Sequence, residues 1–167
     1  AKVIHNKFVF TSSAGVYGTI PTHLPADEET PYNPDGMYHK SKMLAEKELI
    51  KLKTYSNLPL IILRPTTIYG NNDHGFMFKL IRLANKRVFP LCQSNPDIHM
   101  LDVESLSEIY AALANQQNQK YFIFNVADNE SFKMKELLEY AKTSMGARYL
   151  AVPSWVFFLL RKLLAFD

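Results

Sequence analysis

Hydrophobic and polar positions along this chain alternate between short apolar runs and longer amphipathic stretches. Phe8-Val9-Phe10 is a short β-rich run that ends abruptly in Thr11-Ser12-Ser13 and then in Gly15 and Gly18. That pattern predicts a buried strand whose carboxyl end opens into a loop. Residues 19–36 hold four of the nine prolines together with Asp27, Glu28 and Glu29, and read as a loop closing in Asn33-Pro34-Asp35-Gly36. From about 37 to 55, Leu44, Leu49, Ile50 and Leu52 mix with Lys and Glu, as expected of a surface helix. A second apolar run, Leu60-Ile61-Ile62-Leu63, passes through Arg64-Pro65-Thr66-Thr67 to Gly70 and predicts a second strand-to-loop edge. Strand, helix and strand make a βαβ unit, which implies parallel pairing and a right-handed crossover.

Beyond it, 71–75 reads as a polar turn, 76–86 as a helix with Phe76, Leu80, Leu83 and Ala84 on one stripe, and 88–92 as a short strand. A helix from Asp102 or Glu104 to about 115, a polar loop over 115–119, a strand over 121–126, a helix over 133–144 and a short strand over 149–152 follow. The fold class is therefore α/β. The stretch from Ser154 to Phe166 is very apolar but carries Arg161 and Lys162, and it is shorter than the roughly 20 residues that span a bilayer. A membrane-surface helix is one reading of it; a helix cut off before its packing partners is the preferred one.

Composition narrows the picture. With 47% hydrophobic and 21% charged residues over 167 positions, the chain has the make-up of one ordinary globular domain. A net charge of +3, with basic residues scattered and not interleaved with aromatics, gives no nucleic-acid surface. Cys92 is the sole cysteine, which excludes an internal disulfide and a cysteine-based metal site and fits a reducing cytoplasm. Asp73 and His74 share a turn, but two residues are not a metal site.

Candidate chemistry begins at Tyr38-His39-Lys40-Ser41-Lys42, the one place where Lys follows Tyr by four residues. On a helix these two side chains share a face one turn apart. An ammonium near a phenol favours the phenolate, which is how a Tyr becomes a general base. The same spacing also suits a solvated helix face. The segment upstream strengthens the chemical reading: Thr11, Ser12 and Ser13 emerge at the carboxyl end of a strand, where ligands bind in open α/β sheets.

TSSAGVYG, YHKSK and RPTTIYG, in this order, resemble the extended short-chain dehydrogenase/reductases, nearest to the NAD-dependent epimerase/dehydratase group that acts on nucleotide sugars. Ile98-His99-Met100-Leu101-Asp102-Val103 and Phe124-Asn125-Val126-Ala127 extend the resemblance through most of the chain. It implies a partial Rossmann-type parallel sheet, containing only the later strands, with part of a substrate-binding lobe. Residues 1–70 would be the second half of the NAD(P)-binding domain with its catalytic helix; 71–167 would hold the lobe and the remaining strand. The six glycines form no G-x-x-G-x-x-G loop for a pyrophosphate, so the resemblance implies a C-terminal fragment that lacks the front of the fold.

The implied catalytic residues are Ser13, Tyr38 and Lys42. Thr11, Ser12, Tyr38, Lys42, Pro65 and Thr66 would line NAD or NADP, with NAD favoured. Ser13 and Thr67 would meet the substrate, although Thr67 stands where an Asn is common. Arg64 reads as structural, paired with a carboxylate, and His99 as a packed or hydrogen-bonded strand residue. Asn95 and Pro96 occupy positions where many members carry an Arg that grips the substrate pyrophosphate. Dehydratases of the group follow the hydroxyl residue with an Asp-Glu pair. Ala14 and Gly15 stand there instead, which favours a C4 epimerase or keto-sugar reductase. A homodimer through the Tyr38 helix is implied as well. The alternatives are action on a non-sugar alcohol or ketone, and a non-catalytic protein that uses the same fold for binding.

Overall fold

The computed structural model describes residues 7–72, 88–91, 97–115, 122–145 and 148–151, with the single positions 75, 78, 79, 82 and 95. In chain order the elements are β1 (Phe8–Thr11), a 3-10 turn (Ala14–Tyr17), α1 (Gly36–Ser56), β2 (Leu60–Pro65), β3 (Thr67–Tyr69), β4 (Val88–Leu91), β5 (Asp97–Asp102), α2 (Val103–Asn115), β6 (Ile123–Val126), β7 (Ser131–Lys133), α3 (Met134–Met145) and β8 (Arg148–Ala151). Apart from 78, 79 and 82, the helix expected over 76–86 lies outside the described residues, as do the apolar stretch from Ser154, Cys92, Asp73 and His74. Two compact units emerge, residues 1–66 with 103–127, and residues 67–102 with 128–167.

In the first unit the expected βαβ arrangement is present. The strand order is β1-β2-β6, and both pairings are parallel, with Phe8 opposite Leu60, Thr11 opposite Leu63, Ile62 opposite Ile123 and Pro65 opposite Val126. β2 lies in the middle and all six of its residues are buried, which is why its sequence is a continuous apolar run and not an alternating one. Pro65, with no N–H to donate, closes the strand. Side-chain alternation sends Phe10 to one face, beneath the Lys42 ammonium of α1, and Thr11 to the other, where its hydroxyl meets the Tyr110 phenol of α2. The two helices thus cover opposite faces of the sheet. α2 buries Leu106 and Leu113, seven residues apart and so on one face.

α1 is a surface helix, as expected, although its leucines do not mark the buried face. Leu44 and Leu52 point to solvent, Leu49 and Ile50 are half-buried, and the helix's one buried residue is Glu46. The helix ends at Asn57, whose φ of 51° is the left-handed conformation that asparagine tolerates as a cap. The proline-rich loop before α1 is held by hydrogen bonds: Asn33 N to Val16 O at 3.0 Å, Asp27 N to Thr30 Oγ1 at 2.9 Å, and Asn125 N to Glu28 Oε1 at 2.7 Å.

In the second unit β3 and β5 pair in parallel, β5 and β7 pair antiparallel, and β4 and β8 form a separate parallel pair. Met100 and Leu101 of β5 are buried. His99 occupies the strand as expected, but its side chain is exposed and not packed; its backbone pairs with Ser131. Asn95 Oδ1 accepts from Lys135 N at 2.9 Å, so this side chain serves the start of α3. Tyr69 donates to Asp128 Oδ2 at 3.1 Å, and burial followed by that carboxylate raises the phenol above its ordinary range.

Candidate active site

The end of β1 organises the site. Ser13 caps the 3-10 turn, its Oγ accepting from Gly15 N at 3.1 Å. The turn closes at Gly18 with φ of 81°, where a Cβ would stand 2.2 Å from Asn33 O, so only glycine fits. Lys42 reaches from α1 across to the sheet and donates to Thr11 O at 2.9 Å. Its ammonium lies 5.1 Å from the Phe10 ring centroid and 5.7 Å from that of Tyr38. Tyr38 is 56% exposed, and its phenol makes no hydrogen bond among the described residues. Its ring meets that of His39 edge-on at 5.5 Å, and His39 in turn packs on Gly15. Lys42, Tyr38 and Thr11 are therefore brought together directly, and Ser13 is tied to them through the turn.

Two further hydroxyls stand out. Ser12 Oγ and Thr66 Oγ1 are buried and have no hydrogen-bond partner among the described residues. Ser12 N donates to Leu63 O and Thr66 N to Val126 O, so both residues continue the ladders at the carboxyl edge. Alternation along the strands puts both on the α1 face. A buried hydroxyl without a partner costs about 1–3 kcal/mol, so both side chains keep hydrogen-bonding capacity at this edge. Pro65 is buried and lies opposite Val126 of β6. Thr67 opens β3 in the second unit.

Behind this edge lies a charged network that sequence reasoning only half found. Arg64 is 2% exposed and Glu46 is 0% exposed. Arg64 Nε donates to Glu46 Oε1 at 3.1 Å and Nη2 to Oε2 at 2.6 Å. Nη1 donates to the Tyr17 phenol at 2.6 Å and to Glu28 O at 3.1 Å, and Nη2 also reaches the Tyr32 phenol at 3.0 Å. Tyr32 donates onward to Glu46 Oε2 and Tyr17 to Asn125 Oδ1, each at 2.7 Å. Burial works against the Arg64 charge, but Glu46 outweighs it and holds the guanidinium firmly protonated. Burial, then the Glu46 carboxylate, pushes the Tyr32 phenol up to about 12; burial raises Tyr17 too, against the pull of Arg64. Arg64 pairs with a carboxylate as expected. The partner was missed, although Glu46 continues the four-residue spacing of Tyr38 and Lys42 along one helix face.

A family model described as the NAD dependent epimerase/dehydratase family matches residues 1–127. An N-acetyl-alpha-D-glucosaminyl-diphospho-ditrans,octacis-undecaprenol 4-epimerase of Escherichia coli O157:H7 is 28% identical over 145 residues, covering 84% of this chain and 43% of its own length. A UDP-glucose 4-epimerase of Vibrio cholerae is 26% identical over 163 residues, covering 94% of this chain and 49% of its own length. Among solved structures, dTDP-glucose 4,6-dehydratase from Bacillus anthracis in complex with NAD superposes with a TM-score of 0.69 at 25% identity, covering 88% of this chain and 49% of that one. The chain spans about half the length of the curated relatives it matches. No described helix is long and apolar enough to cross a membrane.

Proposed function

Because this chain belongs to the NAD dependent epimerase/dehydratase family, we propose that it carries the proton-handling half of a nucleotide-sugar C4 epimerase, or of a keto-sugar reductase using the same step once. The observation that carries the reading is the Lys42 ammonium bound to the Thr11 carbonyl at the strand edge, one helical turn from Tyr38. Tyr38 takes the proton of a sugar hydroxyl and later returns it. Ser13, two residues beyond Thr11, holds the same oxygen. NAD or NADP, when bound, supplies the acceptor and donor of hydride; NAD is favoured by the neighbour that holds it. The unpartnered Ser12 and Thr66 hydroxyls fit such a group, with Pro65, Thr11 and Lys42 lining the same edge. Thr67 is assigned to the substrate. Ala14 and Gly15 supply no acid for eliminating water, which favours epimerisation over dehydration.

A homodimer through α1 belongs to the same reading. Met37, Leu44, Leu52 and Tyr55 fall along one stripe of that helix, and each is more than half exposed. A cytoplasmic setting is consistent with the lone Cys92. A second reading, a non-sugar alcohol or ketone as substrate, is favoured by Asn95, whose side chain serves the start of α3 where many relatives grip a pyrophosphate with Arg.

The test is turnover of UDP-glucose and UDP-N-acetylglucosamine by the full-length protein with NAD present, since the chain of 167 residues carries no glycine-rich pyrophosphate loop and is expected to be inactive by itself. Tyr38→Phe is expected to lower kcat by at least about 10²-fold. Retained turnover in that variant removes Tyr38 from its role, and reduction of hydrophobic ketones without action on either sugar favours the second reading.

A further inference from the structure

We propose that His39 is a positioning residue for this site: its ring, wedged over Gly15 and held by Asp35, fixes the Ser13 turn against the helical turn that carries Tyr38. The inference rests on the proton-transfer reading of Ser13 and Tyr38. Its first support is steric. A Cβ at Gly15 would lie 2.1 Å from His39 Nε2, 2.2 Å from Cδ2 and 2.6 Å from Cε1. The imidazole occupies the volume that any other residue at 15 would need. Its second support is that the ring is not free to yield. Nδ1 lies 2.9 Å from Asp35 O and 3.2 Å from Asp35 Oδ1. Both oxygens accept, so Nδ1 carries the hydrogen.

The clamp has two jaws. Asp35 Oδ2 accepts from Thr19 N at 3.2 Å and from the Thr19 hydroxyl, just past the end of the turn. One side of the turn is thus touched at Gly15 by the ring, and the other is held at Thr19 by the carboxylate that holds the ring. The next residue back from His39 is Tyr38, whose ring it meets edge-on at an interplanar angle of 64°. Burial alone does not require this arrangement, since the His39 and Asp35 side chains are about a third exposed, at 34% and 32%. What the position requires is a flat group that fills the space over a glycine and donates at Nδ1. A shift of about 1 Å between reacting groups is worth roughly 10²-fold in rate, and the ring spans the two segments whose spacing sets that distance.

The experiment compares His39→Ala, His39→Asn, Gly15→Ala and the Gly15→Ala/His39→Ala double variant by ¹⁵N relaxation of this chain and by turnover of UDP-glucose in the full-length protein. In His39→Ala the amide order parameters of residues 13–17 are expected to fall from about 0.85 to below about 0.6 while β1 and β2 stay rigid. His39→Asn, which retains a donor toward Asp35, is expected to keep the turn ordered. His39→Ala and Gly15→Ala should each lower kcat roughly 10–100-fold with KM changed less than about threefold. The double variant should lose no more than either single one, because both remove one contact. An ordered turn in His39→Ala, multiplicative kcat losses in the double variant, or a lower Tm at unchanged kcat would overturn the proposal. A turn loosened by His39→Ala in a wild-type protein that acts on no nucleotide sugar upholds the clamp and strikes the functional reading instead.

Discussion

Replacing Glu46 by Gln keeps the size of the side chain and deletes its charge. Arg64 would remain 2% exposed, facing an amide in place of a carboxylate. In the native arrangement the carboxylate accepts from Arg64 Nε at 3.1 Å, from Nη2 at 2.6 Å and from the Tyr32 phenol at 2.7 Å. Gln offers one acceptor oxygen and an N–H₂ group, so a donor must face either Arg64 or Tyr32. Removing one partner of a buried ion pair costs about 3–5 kcal/mol, a large part of the roughly 5–15 kcal/mol that holds a domain folded. With a urea m-value of about 1–3 kcal/mol/M, the unfolding midpoint should fall by about 2 M. Far-UV circular dichroism in urea at neutral pH measures it. The companion Glu46→Leu/Arg64→Met variant removes both charges and should lose less than Glu46→Gln alone, since buried pairs are often replaceable by apolar residues of similar volume. A Glu46→Gln midpoint within about 0.3 M of wild type, or a double variant that is worse than the single one, would refute this account of what joins α1 to the sheet.

The Tyr32 phenol is raised by burial and by Glu46 from 10.0 to about 12, so its contribution to stability is whole below 10 and drains away as pH climbs toward 12; Tyr32→Phe should flatten the alkaline limb of urea-measured stability, and an unchanged limb counts against the assignment. Burial pushes the Asp35 carboxyl up, but hydrogen bonds from Thr19 and His39 outweigh it and hold it below 3.8. Its contribution is therefore complete above 3.8 and lost as acid protonates it, so Asp35→Asn should flatten the acid limb, and an acid limb as steep as wild type speaks against it. Calorimetry should find no micromolar NAD binding by residues 1–167, whose glycines form no pyrophosphate loop; micromolar affinity would show that the strand edge binds the dinucleotide without one. Leu44→Glu with Leu52→Glu should abolish self-association in sedimentation at unchanged stability, and a surviving dimer moves the interface off α1.

How far the sequence could be read depended on whether local pattern and tertiary role agreed. β1, β2 and β6 carry continuous apolar runs because parallel strands are covered on both faces, so they were legible together with the helix between the first two. β7 has only three residues, one of them Phe132, and such a short strand leaves no period to detect. β3 was absorbed into the loop after Pro65 for the same reason. His99 was expected as a packed or hydrogen-bonded strand residue; it is in the strand, but alternation along β5 turns it outward next to buried Met100. α1 was legible as a surface helix, but its leucines do not mark the face it turns to the sheet. The polar inward positions Lys42 and Glu46 meet Thr11 of β1, Tyr32 of the loop at 19–35 and Arg64 of β2, contacts that no local window contains. The glycine at 15 was visible, but the reason for it lies 24 positions away in His39.

Those inward positions explain why binding groups and the buried ion pair occur together. Tyr38, Lys42 and Glu46 are spaced by four residues and form one line down α1. At its outer end the line offers a half-exposed phenol, at its middle an ammonium bound to the Thr11 carbonyl, and at its inner end a carboxylate locked onto Arg64 of the central strand. A helix turned by one residue, about 100° at 3.6 residues per turn, would lose Lys42 from Thr11 and Glu46 from Arg64 together. Leu44 and Leu52 face solvent and do not fix that rotation. The ion pair does, because a misplaced Glu46 or Arg64 would leave a buried charge without a partner. Buried charge is a poor source of net stability but a strict one for geometry. Here it orients the face of α1 that carries Tyr38, so under the proposed function a loss of rotation control should lower turnover along with stability.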